Sequence, residues 1–367
     1  MKTVKEWQNN LQPHSQAKVR LLRIYLKKYL HVLSNSFFSN IYLFDVFCGH
    51  GKYDDGGLGS PLVMVEEIQN VLSSSLTNKI SYFCHYNDNN PEYIDKLKSI
   101  IDGYDVNDNV DICYSCFDYR RVLPDILCRL NKLSFSEKAF IFIDPWGYGD
   151  VRFSDIQSLL SSGKAEVLLF LPTQFMYRVE SAGTPNSLKC FIDEITQYED
   201  WPRSTSGIEF INKLKDAFKA RLGDMYYVDT FIIKRDEGQF FCLFFFTSHI
   251  FGFQKMLESK WEIDNEEGRG WRYESEIGNL FSGEKSSITL KFEEELRNYL
   301  FHYQRTNIEV YNFILHKGHL PTHANEILRD WQDNGTLSVL TTAGQPVRKK
   351  AFYLSHKPSV EITLELQ

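Results

Sequence analysis

Several carboxylates in this chain stand where an apolar run stops and a turn begins. Asp45 follows Ile41-Tyr42-Leu43-Phe44, Asp88 follows ISYFCHY at 80–86, Asp118 follows an apolar-rich stretch near 110–116, and Asp144 follows AFIFI at 139–143. In an open α/β sheet the carboxyl ends of the strands converge on one crevice, so four carboxylates there would share a ligand site. One such Asp is ordinarily a turn former or helix cap. After Asp45 comes Phe47-Cys48-Gly49-His50-Gly51, a glycine turn that lets backbone approach a ligand with no Cβ in the way. The stretch does not complete G-x-G-x-x-G, because the third position, counted from Gly49, is Asp54. A pyrophosphate site is thereby weakened. Taken alone, residues 41–61 fit an ordinary strand-to-turn junction as well as a nucleotide site.

The elements that must position these groups follow from periodicity. Residues 14–33 place Val19, Leu22, Leu26, Tyr29, Leu30 and Leu33 at helical spacing, opposite a face rich in Lys and Arg (Lys18, Arg20, Arg23, Lys27, Lys28). That face is expected to be solvated or to meet phosphates. Ser15 is the expected N-cap. Five short apolar strands (41–47, 80–86, 110–116, 139–143, 165–171) alternate with helices, the pattern of a doubly wound parallel sheet. Tyr226–Lys234 and Phe240–Ser248 flank Arg235-Asp236-Glu237-Gly238, which predicts a closing antiparallel hairpin. The helix Gly252–Trp261 follows. The expected organisation is a Rossmann-like domain over 1–262 and a linker over 263–286, rich in Glu, Gly, Ser and Asn. A C-terminal domain over 287–367 then shows three helices and a ribbon (Leu337–Leu340 and Ala351–Leu354), the outline of a winged helix. Its loop carries Arg348-Lys349-Lys350, suited to phosphates. Its recognition helix, about Ala324–Asn334, with only Arg329 among Glu326, Asp330 and Asp333, suits the major groove poorly, so a protein-contact role is equally open.

Composition bounds the rest. The chain has 367 residues, 43% apolar and 24% charged, with net charge −7. Any contact with a polyanion must therefore come from a local basic face. Seven scattered cysteines without framework spacing suggest reduced thiols and a cytoplasmic setting. The single Cys113-x-x-Cys116 lacks a second pair, and no metal is expected. The apolar run around Phe240–Phe246 is too short to span a bilayer, so no membrane partner is expected.

Asp45-x-Phe47-x-Gly49-x-Gly51 resembles the first motif of S-adenosylmethionine (SAM) methyltransferases, whose ligand carries no phosphate. The resemblance implies that Asp45, Phe47, Gly49 and Gly51 lie against the amino-acid end of SAM, Asp88 at the ribose hydroxyls, and Asp118 at the adenine amine. Asp144 would stand beside the reacting methyl. Phe142-Ile143-Asp144-Pro145-Trp146-Gly147 resembles the Asp-Pro-Pro-Tyr motif of amino-group methyltransferases, which makes Asp144, Pro145 and Trp146 the expected acceptor site. Trp146 and Gly147 depart from that pattern and leave the acceptor open. The chain as a whole, over about 14–355, resembles the three-Cys-motif partner proteins of bacteria and phages. The resemblance rests on KVRLLRIYLKKYL, on 45–56 with Gly59-Ser60-Pro61, on Asp144–Gly147, and on Phe246–His249 with Met256 and Trp261. Family members often carry Phe-Ala-Gly-Pro-Gly where this chain has Phe47–Gly51, so both glycines are kept. This implies a class I methyltransferase-like fold and a partner protein bearing a three-cysteine motif. The expectation is a SAM-dependent methyltransferase acting on RNA or DNA, with a base amine favoured. The alternatives are a non-catalytic methyltransferase-like subunit and a carboxylate/Mg-dependent nucleotide-processing enzyme.

Overall fold

The structure is a computed structural model, and it describes residues 10–74, 79–236, 239–265, 267–272, 287–301 and 303–366. Among these, residues 10–249 with 270–272 form one compact unit, and 250–269 with 287–366 form another.

The first unit opens with helix α1 (Pro13–Ser34). It begins at Pro13, with Gln12 in the N-cap position, three residues before the expected Ser15 cap. Proline's fixed φ suits the first helical position and it has no N–H to lose there. Six elements then alternate: β1 (Asn40–Asp45), α2 (Ser60–Ser74), β2 (Ser81–Asn87), α3 (Pro91–Ile101), β3 (Val110–Ser115) and α4 (Tyr119–Asn131). They continue with β4 (Glu137–Ile143), α5 (Phe153–Leu160), β5 (Ala165–Leu171), α6 (Thr173–Gly183), α7 (Asn186–Ile195) and α8 (Gly207–Leu222). The unit closes with the hairpin β6 (Tyr227–Asp236) and β7 (Gln239–Thr247); Glu237 and Gly238 of the expected turn lie outside the described residues.

The strand order is β3-β2-β1-β4-β5-β7-β6-β8. Strands β1 to β5 run parallel, and β7 pairs antiparallel with both β5 and β6. This mostly parallel sheet with a terminal antiparallel hairpin fits a Rossmann-like methyltransferase fold. The order reverses between β1 and β4, whose register sets Asp45 beside Phe142. A crevice belongs there, outside the carboxyl ends of the strands. Strand β5 is buried along its whole length, as a strand covered on both faces must be. The short β8 (Gly270–Arg272) pairs parallel with β6, inside the stretch expected to be linker. Glycine makes this possible: a Cβ at Gly270 would stand 2.0 Å from the Ile232 carbonyl oxygen. Residues 273–286 of that stretch lie outside the described residues.

Helix α1 is fixed to the sheet by buried polar bonds. The Tyr25 hydroxyl donates to Glu166 on β5, and Thr247 on β7 donates to the same carboxylate at 2.9 Å. The Tyr29 hydroxyl donates to the Ala139 carbonyl at 3.3 Å. These bonds set where the first turns of α1 lie relative to the strand ends.

The second unit holds α9 (Ile250–Ile263), α10 (Ser287–Phe301), β9 (Arg305–Thr306), α11 (Asn307–His316), α12 (Pro321–Asp333), β10 (Leu337–Thr341) and β11 (Ile362–Leu366). Helix α9, expected with the first domain, clusters here, and its Gln254 accepts from the Tyr311 hydroxyl at 2.6 Å. The small antiparallel sheet has the order β10-β11-β9. The expected second ribbon strand, Ala351–Leu354, is not a strand. Lys350 and Tyr353 take φ of 64° and 49°, which a strand cannot accommodate. The partner of β10 is instead β11, which buries Ile362, Leu364 and Leu366 in alternation. Asn307, fully buried, donates to the Tyr353 and Val360 carbonyls at 3.0 and 2.9 Å and so ties down the intervening loop.

Candidate functional site

At the carboxyl edge of the first unit's sheet lie two cavities, of about 420 and 320 Å³. Phe47, Asp88 and Trp146 border both. The larger is lined by Gly49 and Gly51 after β1, by Asp144 and Pro145 after β4, and by Phe170 and Pro172 at β5. The smaller takes Asn89 after β2, Phe117 and Asp118 after β3, and Tyr119.

The glycine turn is pinned by neighbouring strands. The Cys48 amide donates to the Asn87 carbonyl at 2.9 Å, and the Gly49 amide to Asp88 Oδ2 at 3.0 Å. Gly49 and Gly51 take φ of +61° and +78°, a region that L side chains avoid. A Cβ at Gly51 would meet Leu97 Cδ1 at 2.5 Å, whereas one at Gly49 would have nothing within 4 Å. Gly51 is therefore required by packing, and Gly49 leaves open space. The loop beyond is closed on itself: Tyr53 donates to Gly57 at 2.8 Å, and Asp55 Oδ2 accepts from the Leu11 amide at 2.9 Å.

The expected carboxylates are placed differently from one another. Asp45 is fully buried beneath the turn and lines neither cavity; both of its oxygens lack a hydrogen-bond partner. Burial pushes its carboxyl up to about 7. The nearby Ser60 hydroxyl and Phe47 amide, outside hydrogen-bonding geometry, pull the other way, and the charges of Asp144 and Asp88 raise it further. Asp88 lies at the boundary of the cavities, and its second oxygen accepts from the Asn90 amide at 2.9 Å. The neighbouring Asn87 is fully engaged, donating to Val46 and Phe117 carbonyls and accepting from Ser115 and the Phe117 amide. Asp118 caps α4 through the Arg120 amide at 2.9 Å. Asp144 pairs with Lys18 of α1. Trp146 is 78% exposed at the rim. Arg348, Lys349 and Lys350 belong to the second unit, where Lys350 pairs with Asp333 at 2.8 Å.

The basic face of α1 is not merely solvated. Arg23 binds Glu66 and Glu67 at 2.7 and 2.9 Å, and Lys18 enters the larger cavity with its ammonium 4.4 Å from the Phe170 ring centroid. His14, also on the cavity wall, stacks on Phe241 at 4.9 Å. Burial, with the charges of Lys18 and Arg235, pushes its imidazole down to about 4, and its Nδ1 is buried without a partner. His50 Nδ1 is likewise buried and unpartnered, and burial lowers that imidazole too. Sequence reading did not assign these α1 residues to the site. The available signal was Lys18 itself, four and seven residues before the buried Leu22 and Tyr25 and thus on the apolar stripe. Burial pushes the Cys48 thiol up, which disfavours the thiolate. Among the described residues no group of three or more His, Cys, Asp or Glu could hold a metal ion, and no helix is long and apolar enough to cross a membrane.

No family model matches the chain, and neither does any curated protein. Among solved structures, protein LPL1258 from Legionella pneumophila has 13% identity, with 68% of this chain and 91% of that one covered and a TM-score of 0.40. The plantazolicin methyltransferase BamL, solved with a triazolic desmethylPZN analogue and S-adenosylhomocysteine (SAH), has 13% identity, with 66% and 90% covered and a TM-score of 0.33. An O-methyltransferase from Bacillus cereus, solved with SAH, has 12% identity, with 65% and 82% covered and a TM-score of 0.35. Likeness at this level carries no argument about function, which must come from the site.

Proposed function

We propose that the protein is a SAM-dependent methyltransferase whose acceptor is an amine on a nucleic-acid base. The observation that carries this is the pair of cavities at the β1/β4 switch, bordered jointly by Phe47, Asp88 and Trp146. The residues present fit SAM. The smaller cavity has an aromatic and polar lining for an adenosine, with Asp118 at the base and Asp88, whose oxygens keep a second lone pair each, at the ribose. The larger has open space over Gly49 for the amino-acid end of the ligand. When bound, SAM supplies an activated methyl group on a sulfonium leaving group.

The chain's own task is then alignment and exclusion of water. Asp144 Oδ1, with no partner among the described residues, accepts an N–H of the acceptor amine and turns its lone pair inward. Trp146 offers a flat exposed face on which a flipped-out base can stack. Pro145 fixes the turn between them. A winged-helix reading of the second unit, with Arg348, Lys349 and Lys350 on phosphates, supplies a second contact to nucleic acid. A three-cysteine-motif protein remains the proposed partner. The non-catalytic reading draws on the Lys18–Asp144 pair, which occupies one oxygen of the acceptor carboxylate.

The test is calorimetry with SAM, then tritium transfer from SAM into RNA, DNA and protein. Asp144→Ala should keep SAM affinity within about threefold and lower transfer by roughly 100-fold or more, the scale of a lost positioning contact. Unchanged transfer in that variant would remove Asp144 from the acceptor site, and absence of SAM binding would sink the reading.

A further inference from the structure

Lys18 is the one lysine or arginine among the described residues lining the larger cavity, and it is 9% exposed. A residue needed only to neutralise Asp144 could be replaced by a water-facing partner; this one is carried inward on α1, anchored by Tyr25 and Glu166, with its ammonium over the Phe170 ring. An ammonium has three donors and a carboxylate about four lone-pair sites. The ion pair uses one donor of Lys18 and Oδ2 of Asp144. Two donors and Oδ1 have no hydrogen-bond partner among the described residues, and Lys18, Asp144 and the exposed Trp146 all line this cavity. A ligand can engage both without breaking the pair. The complementary ligand edge has an N–H donor adjoining a hydrogen-bond acceptor. Among bases that carry an exocyclic amine, adenine and cytosine present such an edge on the Watson–Crick side by which a flipped-out base is read, the amine flanked by a bare ring nitrogen; guanine's amine adjoins N1–H there and meets its bare N3 only on the sugar edge. Inosine and uridine place a carbonyl where the amine would be.

We infer that Lys18 is a specificity-determining residue that donates to the ring nitrogen beside the amine held by Asp144, so that the acceptor is an amidine-edged base, adenine or cytosine. This rests on the methyltransferase reading above and narrows its substrate. It also assigns α1, which lies outside the alternating strand–helix pattern of the sheet, a direct part in recognition.

The test uses the full chain saturated with SAH, after SAH affinity has been measured by calorimetry. Adenosine and cytidine are titrated against 1-deazaadenosine, 7-deazaadenosine and 3-deazacytidine, each lacking one ring nitrogen, with Trp fluorescence as a second readout. At least one parent nucleoside should bind, and its matching deaza analogue should bind roughly 10- to 100-fold more weakly, the worth of a hydrogen bond to a charged group. Lys18→Met should weaken the parent by a similar factor and erase the parent-to-analogue difference, and Lys18→Arg should retain that difference. A wild-type protein that binds analogue and parent alike overturns the inference. So does a Lys18→Met protein that still discriminates, or an SAH-loaded protein that binds neither parent. If Lys18→Met fails to fold, seen as a lost thermal transition, the wild-type series still decides. Failure of SAH itself to bind would sink the proposed function instead, which separates the two claims.

Discussion

Asp45 is the residue on which sequence and structure disagree most usefully. It ends β1 where a ligand carboxylate was expected, yet it is sealed beneath the turn with no hydrogen-bond partner. Its carboxyl is raised to about 7 from an unfolded value of 3.8, so the folded state holds its proton more tightly. The stability Asp45 contributes is therefore full below about pH 4 and lost as pH rises through about 7. Asp45→Asn, neutral at every pH, should match the wild type near pH 4.5 and exceed it above pH 7, by up to about 4 kcal/mol. Denaturant midpoints at pH 4.5 and 8 measure this. A difference independent of pH would mean that Asp45 is ionised and partnered throughout.

At the scale of elements, the β1–α2 turn has separable structural and binding roles. Gly51→Ala combines a left-handed φ with a clash against Leu97 and should cost about 3 kcal/mol or more. Gly49→Ala bears only the conformational cost, about 1–2 kcal/mol, but puts a methyl group into open space over the cavity. It should weaken SAH binding in excess of its effect on stability. Chemical denaturation paired with SAH calorimetry on both variants checks the contrast; equal stability costs would refute it. The same turn shows why sequence reading worked here. Glycine tolerance and strand periodicity are local, and β5 falls on the expected residues.

For the whole molecule, a chain of net charge −7 that binds nucleic acid must concentrate its cations. The second unit offers Arg348 and Lys349, with Lys350 partly committed to Asp333. Replacing all three with alanine in the full chain should weaken binding to single-stranded RNA or DNA. It should also reduce the log–log salt slope by about 2, near 0.7 per lost phosphate contact on a single strand. Fluorescence anisotropy across a salt series reads both, and an unchanged slope would assign this loop to a protein contact.

The alternation of strands and helices, the carboxylates at strand ends and the closing hairpin were all legible from residue order. Each depends on period-2 or period-3.6 patterning within a few residues. The end of the second unit was misread because positive φ at Lys350 and Tyr353 leaves no pattern in residue type, while β11 is selected by its pairing with β10 and β9. The membership of the site was decided only by the tertiary structure. Lys18 and Asp144 stand 126 residues apart, and no local pattern couples them. Their meeting depends on α1 docking across the sheet through Tyr25, Glu166 and Thr247, a long-range packing solution that residue order alone does not encode visibly.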